Sequence, residues 1–325
     1  MTTGRLGQQA APPNAAYAGQ VVHFPDPVRA SRHPRGVRVD GDGFPDFTPY
    51  ARAAAEIAEP PMGFGVDELR LTDYVSANAA LHAAGHDLWG TVPSVATPHG
   101  WTWHHLPGSR RMVLVPVEVK ALLRHHGGLA TTSVDHAKRG TRPLRETRPA
   151  HFGLPKGAGP VGEQQVLGVE EDLGYRLPGA YRSFLKAAGG CAPVAPALDP
   201  ELGLLVDQPF FTVREEAAVN DLVYMNKCLR DHLTKDYLAV GFVQGGILAV
   251  KVKGERSGSV WFCAYDDARD QDGLSVRERV ERLLLPCGDD FDAFLLRLAG
   301  GPAELETVAN LMVDGGFARA VPVEG

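Results

Sequence analysis

The chain has 325 residues, 44% of them hydrophobic and 22% charged, with a net charge of −6. That length favours two domains over one, and the composition excludes wholesale disorder. No run approaches the ~18 apolar residues of a membrane span, so no membrane partner is expected.

The charge is unevenly placed. Up to Pro155 there are 16 Lys+Arg against 13 Asp+Glu; from Lys156 onward there are 17 against 26. Eleven of the twelve histidines precede Pro155, whereas Cys191, Cys228, Cys263 and Cys287 all follow it without a CxxC pair. We read two domains with different work, one that meets polyanions and one that could mimic or mask them. The cysteine spacing argues against a zinc ribbon or disulfide framework and for a reducing, cytoplasmic setting. The first twenty residues lack the apolar core of a secretory signal.

In chain order, residues 1–35 read as an irregular lead-in rich in Ala, Pro and Arg. Tyr50–Ile57 and Asp73–Ala84 read as helices, the second closing before Gly85. Trp101–His105 and Arg111–Val115 form a predicted hairpin around Pro107-Gly108-Ser109. Val117–Arg124 follows as a short helix, ended near Gly127-Gly128. Residues 136–162 are a basic, proline-punctuated linker with Lys138, Arg139, Arg142, Arg145 and Arg148. Its arginines suit phosphate contacts as well as a solvated linker. Gln164–Gly174 and a stretch opened by Leu177-Pro178 are predicted helices. The latter has an apolar face of Leu177, Tyr181, Phe184 and Leu185 and stops at Gly189-Gly190. Tyr237–Val243, Gly246–Val252 and Ser259–Tyr265 read as an antiparallel meander. A helix face at Phe291, Phe294, Leu295 and Leu298 closes the domain, and residues 301–325 are taken as a tail. The fold class is α+β.

The sharpest chemical feature is Trp101-Thr102-Trp103-His104-His105, with His125-His126 twenty residues on. Adjacent histidines on a regular strand point to opposite faces, so both serve one site only if the strand twists or bulges. A hairpin followed by a helix can gather such histidines around a divalent cation, with a neutral imidazole left to activate water.

Several motifs then fall into a familiar order. Gly43-Phe44-Pro45-Asp46-Phe47 with Pro49-Tyr50-Ala51, Asp73 with Ala77-Asn78, GWTWHH over 100–105, MVLVP over 112–116 and HHGG over 125–128 resemble the HNH/endonuclease VII superfamily. The likeness is to its toxin nucleases with a Trp-His-His motif. It implies a ββα-metal (HNH-like) domain over 36–135 that hydrolyses phosphodiester bonds, with DNA ahead of RNA as the nucleic-acid substrate. It also implies one divalent metal ion (Mg, Mn, Ni or Zn). His104 and His125 are the expected metal ligands, with His126 a candidate, and His105 the general base. The roles of His104 and His105 are interchangeable at this stage. Asp46 is a candidate to orient a histidine or merely to cap a turn. Trp103 suits hairpin packing better than base stacking. One position departs from the pattern: Lys120 stands where the family usually has histidine. A protonated lysine cannot ligate a metal and its charge opposes one, so it contacts phosphate or marks an impaired site.

The second half, LGYRLPGAYRSFL over 173–185 followed by Gly189-Gly190, DYLAVG over 236–241 and DDFDAFL over 289–295, resembles the SUKH (SMI/KNR-type) domains. The resemblance covers 163–300 and implies an α+β domain with an antiparallel sheet. It implies immunity, meaning capture of a toxin or nuclease domain in cis or in trans. Asp266, Asp267, Asp270 and Asp272 are expected as a solvated acidic loop; the sharper reading is an inhibitor surface that competes with phosphates. Two functions follow. One is a nuclease restrained by its own immunity domain, active as residues 1–155 alone. The other is a non-enzymatic immunity or decoy protein carrying a degenerate nuclease.

Overall fold

The computed structural model describes residues 11–60, 62–141, 148–154, 159–213, 219–301 and 303–323. The frame of the first half is β1 (Ala53–Ile57), α1 (Val66–Ala83), β2 (Trp101–His105) and β3 (Arg111–Pro116). The hairpin stands where the sequence puts it; α1 ends ahead of Gly85 as expected but begins at Val66, ahead of the expected Asp73. Tyr50–Ile57 is a correction: residues 53–57 are a strand, not a helix. Alanine is the best helix former, but propensity is a weak prior that tertiary pairing overrides. Here β1 lies inside a sheet, where small side chains at Ala53 and Ala55 let α1 approach through Ala77 and Ala80.

The second half contains α2 (Glu163–Leu173), α3 (Gly179–Ala188), β4 (Ala197–Asp199), β5 (Leu204–Val206) and α4 (Leu222–Cys228). The antiparallel sheet β6 (Tyr237–Val243), β7 (Gly246–Lys251), β8 (Val260–Ala264) and β9 (Leu285–Gly288) follows, with α5 (Val276–Leu283) and α6 (Phe291–Arg297). Gly174 and Gly189 end α2 and α3 in the left-handed conformation that glycine adopts without strain.

The chain then returns to its first half. α7 (Ala303–Asp314) packs on α1, and β10 (Ala318–Val321) pairs antiparallel with β1, completing a sheet of order β10-β1-β3-β2. The sequence suggests a tail over 301–325, but 303–321 supply an edge strand and a covering helix. The lead-in is also more ordered than expected. Pro27–Arg32 is helical, capped by the Asp26 carboxylate accepting from the Arg29 amide at 2.9 Å. Phe24 is buried with Val37, Val39 and Phe47.

The halves share their interiors. Val117 and Ala121 are buried in the core of the second half. Leu71, Val75 and Ala79 of α1 pack with Leu198, Leu205, Leu305 and Ala309. The linker is tied to both: Arg139 pairs with Asp67 at 2.9 Å, and the Ala150 amide donates to the Leu298 carbonyl at 3.0 Å. Arg139 is therefore committed to a carboxylate, whereas Arg142 and Arg145 lie outside the described residues.

Candidate active site

β2 and β3 pair without a register shift, from Trp101 opposite Pro116 to His105 opposite Met112. With no bulge, side chains alternate, and the two histidines face opposite ways. Trp103 and His105 face α1. There the Trp103 indole donates to Asn78 Oδ1 at 2.7 Å, and His105 Nε2 lies 2.9 Å from Asp73 Oδ2. The Arg110 guanidinium donates to the other Asp73 oxygen at 2.6 Å. Trp103 is thus core packing with a satisfied polar end. The Asp and Asn of α1 that accompany the Trp-His-His motif in sequence are its structural partners.

His104 faces the other side. Its ring meets His125 edge-on at 5.0 Å and Phe47 at 4.9 Å. His104 and His125 are 1% and 0% exposed, yet both ring nitrogens of His104 and Nε2 of His125 have no hydrogen-bond partner among the described residues. His125 Nδ1 lies 3.0 Å from the Leu123 carbonyl, an arrangement that leaves Nε2 with the lone pair. Burial depresses both histidines, with Lys120 adding to the effect at each; His125 is pushed down to about 3. Both are therefore neutral near pH 7.

Lys120 is buried beside them. Its ammonium donates to the Trp103 carbonyl at 2.6 Å and sits 6.0 Å from the Tyr265 ring centre. Burial lowers it to about 8, while Asp266 works in the opposite direction. The helix expected over Val117–Arg124 is only Val117–Lys120. The chain beyond it runs alongside the second half, bringing His125 to Asp266.

Asp46 does not reach a histidine. Its carboxylate accepts from the Thr48 amide at 2.9 Å and the Thr48 hydroxyl at 2.5 Å, capping the turn that presents Phe47. His126 turns away as well, with Nε2 2.8 Å from the Asp270 carbonyl.

The site is closed by the second half. The Asp266 carboxylate accepts from the backbone amides of Gly127 at 2.8 Å, Leu129 at 3.0 Å and Ala130 at 3.0 Å. The close approach needs glycines. A Cβ on Gly127 would lie 2.6 Å from Asp266 Oδ2 and 3.2 Å from His104 Cε1, and one on Gly128 would lie 2.7 Å from the His105 Cβ. The His125 amide donates to the Tyr265 carbonyl, and the Tyr265 ring stacks on His125. Arg124 donates to Asp270 at 2.7 Å, and Arg279 holds the other Asp270 oxygen at 3.0 Å. Asp266, Asp267 and Asp270 are buried, which corrects the solvated-loop expectation for all but Asp272. Sequence reasoning missed Tyr265 and Arg124 and named Asp73 only as part of a motif, without a role; an arginine directly before HHGG was the visible signal for Arg124.

Residues 93–135 match the family model described as a nuclease of the HNH/ENDO VII superfamily with conserved WHH. Residues 160–297 match the SMI1/KNR4 family, SUKH-1. The chain thus carries a WHH nuclease-family domain, matched over 93–135, followed by a SUKH-1 domain, matched over 160–297. A search of curated proteins finds no match to it. Among the described residues no helix is long and apolar enough to cross a membrane.

Nucleases of this superfamily typically use a divalent metal. The donors here do not fit one in the closed arrangement. His104 and His125 offer nitrogens, but His105 faces α1, His126 is held by a carbonyl, and the Asp266 carboxylate is taken by three amides. Lys120 sets a positive charge beside the pair. Among the described residues no group of three His, Cys, Asp or Glu side chains gathers at one point.

Proposed function

We propose that the WHH domain is a phosphodiester-cleaving nuclease of the bacterial toxin type, acting on DNA ahead of RNA, and that the SUKH-1 domain holds it shut in cis. One observation carries this reading: Asp266 of the SUKH-1 domain puts its carboxylate on the amides of Gly127, Leu129 and Ala130, and Gly127 packs beside His104. A carboxylate on three amides resembles a phosphate oxygen in charge and hydrogen bonding. A substrate phosphate would have to displace it.

Once the site opens, His104 is the base best placed to take a proton from water. It is neutral, its nitrogens are free, and it borders the amides that would hold the anion. Lys120, whose proton is held up to about pH 8, supplies positive charge near the developing negative charge. His105 acts through position: Asp73 and Arg110 lock its ring and with it the end of β2. The assignment is thus the interchanged one, with His104 and not His105 as the base.

A second reading rests on Lys120. A lysine at the family's histidine position, with His104 and His125 the two buried imidazoles of the site that keep a free nitrogen among the described residues, fits a retired nuclease carried by an immunity or decoy protein.

The test uses the full chain. A fragment ending at residue 155 would lack β10 and α7 and expose their apolar contacts on β1 and α1. The variants are Asp266→Ala, Lys120→His, both together, and each with His104→Ala. They are assayed on plasmid DNA and structured RNA with Mg²⁺, Mn²⁺, Ni²⁺ or Zn²⁺. We expect the wild-type chain to be quiet, Asp266→Ala to cleave, and His104→Ala to abolish that cleavage. Cleavage only when Lys120→His is added would establish the retired nuclease. No cleavage in any combination, with all variants folded, would sink the nuclease reading.

A further inference from the structure

The SUKH-1 domain is acidic, yet one of its cavities is not. A cavity of about 690 Å³ opens between the end of α2, the end of α4 with its following loop, and the start of α5. Its lining includes Lys227, Arg230, Lys235, Lys253 and Arg277 against a single acid, Asp172. The chain from Lys156 onward has 17 cations and 26 acids, so five cations to one acid reverses the local balance.

Lys227, Arg230 and Lys235 have no ion-pair partner among the described residues, and each is exposed. Lys253 sits over the Tyr175 ring at 5.4 Å, and Arg277 pairs with Glu281 at 2.9 Å. Tyr175 and Tyr237, both half-buried, add two aromatic rings to the wall. The Asn226 side chain is used up by Leu222 and Ala239, so it stiffens the wall instead of reaching a ligand. Cations cost little at an exposed surface when scattered, but gathered around one concavity they repel each other unless an anion joins them. Aromatic rings beside the cations point to a ligand that carries a flat ring as well as charge. The volume suits one small molecule and not a wrapped strand.

We propose that this cavity binds a mononucleotide polyphosphate, its phosphates on Lys227, Arg230 and Lys235 and its base against Tyr175 or Tyr237. The site stands apart from the WHH pocket and does not depend on nuclease activity. It shares a wall with the closed interface. His232 lies between cavity residues Arg230 and Leu233; its Nε2 is 2.9 Å from the Ala121 carbonyl of the WHH domain, and its ring packs on Tyr265.

The test is calorimetric titration of the full chain with ATP, tripolyphosphate, adenosine and a single-stranded oligonucleotide. Lys227→Glu/Arg230→Glu and Tyr175→Ala/Tyr237→Ala are compared after their melting temperatures are shown to match the wild type. We expect one ATP per chain, weakened about tenfold or more by the charge reversals, weakened by added salt, and weakened severalfold by loss of the rings. Tripolyphosphate should bind less tightly than ATP. No saturable ATP binding, or binding unmoved by the charge reversals, would overturn the proposal. Tripolyphosphate binding as tightly as ATP would show an anion site without base recognition and also overturn it. An oligonucleotide that binds more tightly than ATP would reassign the cavity to a strand.

Discussion

Strand β2 has two faces, and they solve the burial of a histidine in opposite ways. On the α1 face, His105 belongs to a closed network: Asp73 binds the imidazole with one oxygen and Arg110 with the other. On the opposite face, His104 and His125 are as deeply buried but have three ring nitrogens without partners. Buried polar groups are ordinarily paired, so the unpaired ones call for an explanation. The satisfied histidine is part of the scaffold. The unsatisfied pair borders the Gly127 amide that Asp266 of the second half occupies. The face of β2 that carries His104 is thus the one that the second half covers in this structure.

The largest expected effects break this comparison directly. Asp73→Ala removes a 1%-exposed carboxylate and leaves the largely buried Arg110 charge unmatched. We expect a loss of about 3–5 kcal/mol in denaturant unfolding, as for a buried ion pair stripped of one partner. His104→Phe is the counterpart on the other face. It deletes nitrogens that bond to nothing and keeps a flat ring against Phe47 and His125. Its cost should stay within about 1 kcal/mol, or the variant should be more stable. Equal losses for the two substitutions would show that the faces do not differ.

Much of this was legible beforehand. The β2–β3 hairpin, the helix ending before Gly85 and the meander in the second half are local patterns that tertiary contacts reinforce. That adjacent histidines would face apart followed from strand alternation alone. Which face would hold the site did not, because the deciding contact joins Gly127 to Asp266, 139 residues away. The same limit explains the acidic loop. Aspartates at 266 and 270 look like solvent-facing residues until the amides of Gly127, Leu129 and Ala130 are brought to the first and Arg124 and Arg279 to the second; Asp267 pairs with its neighbour Arg269. Strand β1 was hidden in another way. Its alanines favour helix in isolation, and its strand partner β10 lies at the far end of the chain.

Acid sharpens the comparison next. His125 and His232 are both buried at the domain interface with their proton affinity pushed down to about 3, burial being the main cause. The folded chain therefore prefers them neutral. The unfolded chain binds protons at about pH 6.5. Above that value their contribution to stability is fully present, and it is lost as pH falls from about 6.5 toward about 3. Each such histidine steepens the fall by up to about 1.4 kcal/mol per pH unit. Unfolding free energies measured between pH 7 and pH 5 should decline, and His232→Phe should make the decline shallower. A slope unchanged by that substitution would mean that His232 does not sense the interface.

The smallest effect concerns Asp46, which sequence resemblance brought forward as a partner for a catalytic histidine. In the structure its carboxylate serves Thr48 alone among the described residues, through the backbone amide and the hydroxyl. Asp46→Ala should therefore cost about 1 kcal/mol, the usual worth of one such local hydrogen-bonded turn. It acts on the histidines only through the turn that places Phe47 against His104 and His125. Asp46→Asn keeps an acceptor for the Thr48 amide and should recover most of the loss. In an Asp266→Ala background that cleaves nucleic acid, adding Asp46→Asn should leave the pH dependence of cleavage unchanged. A carboxylate that oriented His104 would shift that profile when neutralised; one that only caps a turn would leave it in place, because its charge lies outside the hydrogen bonds of either imidazole.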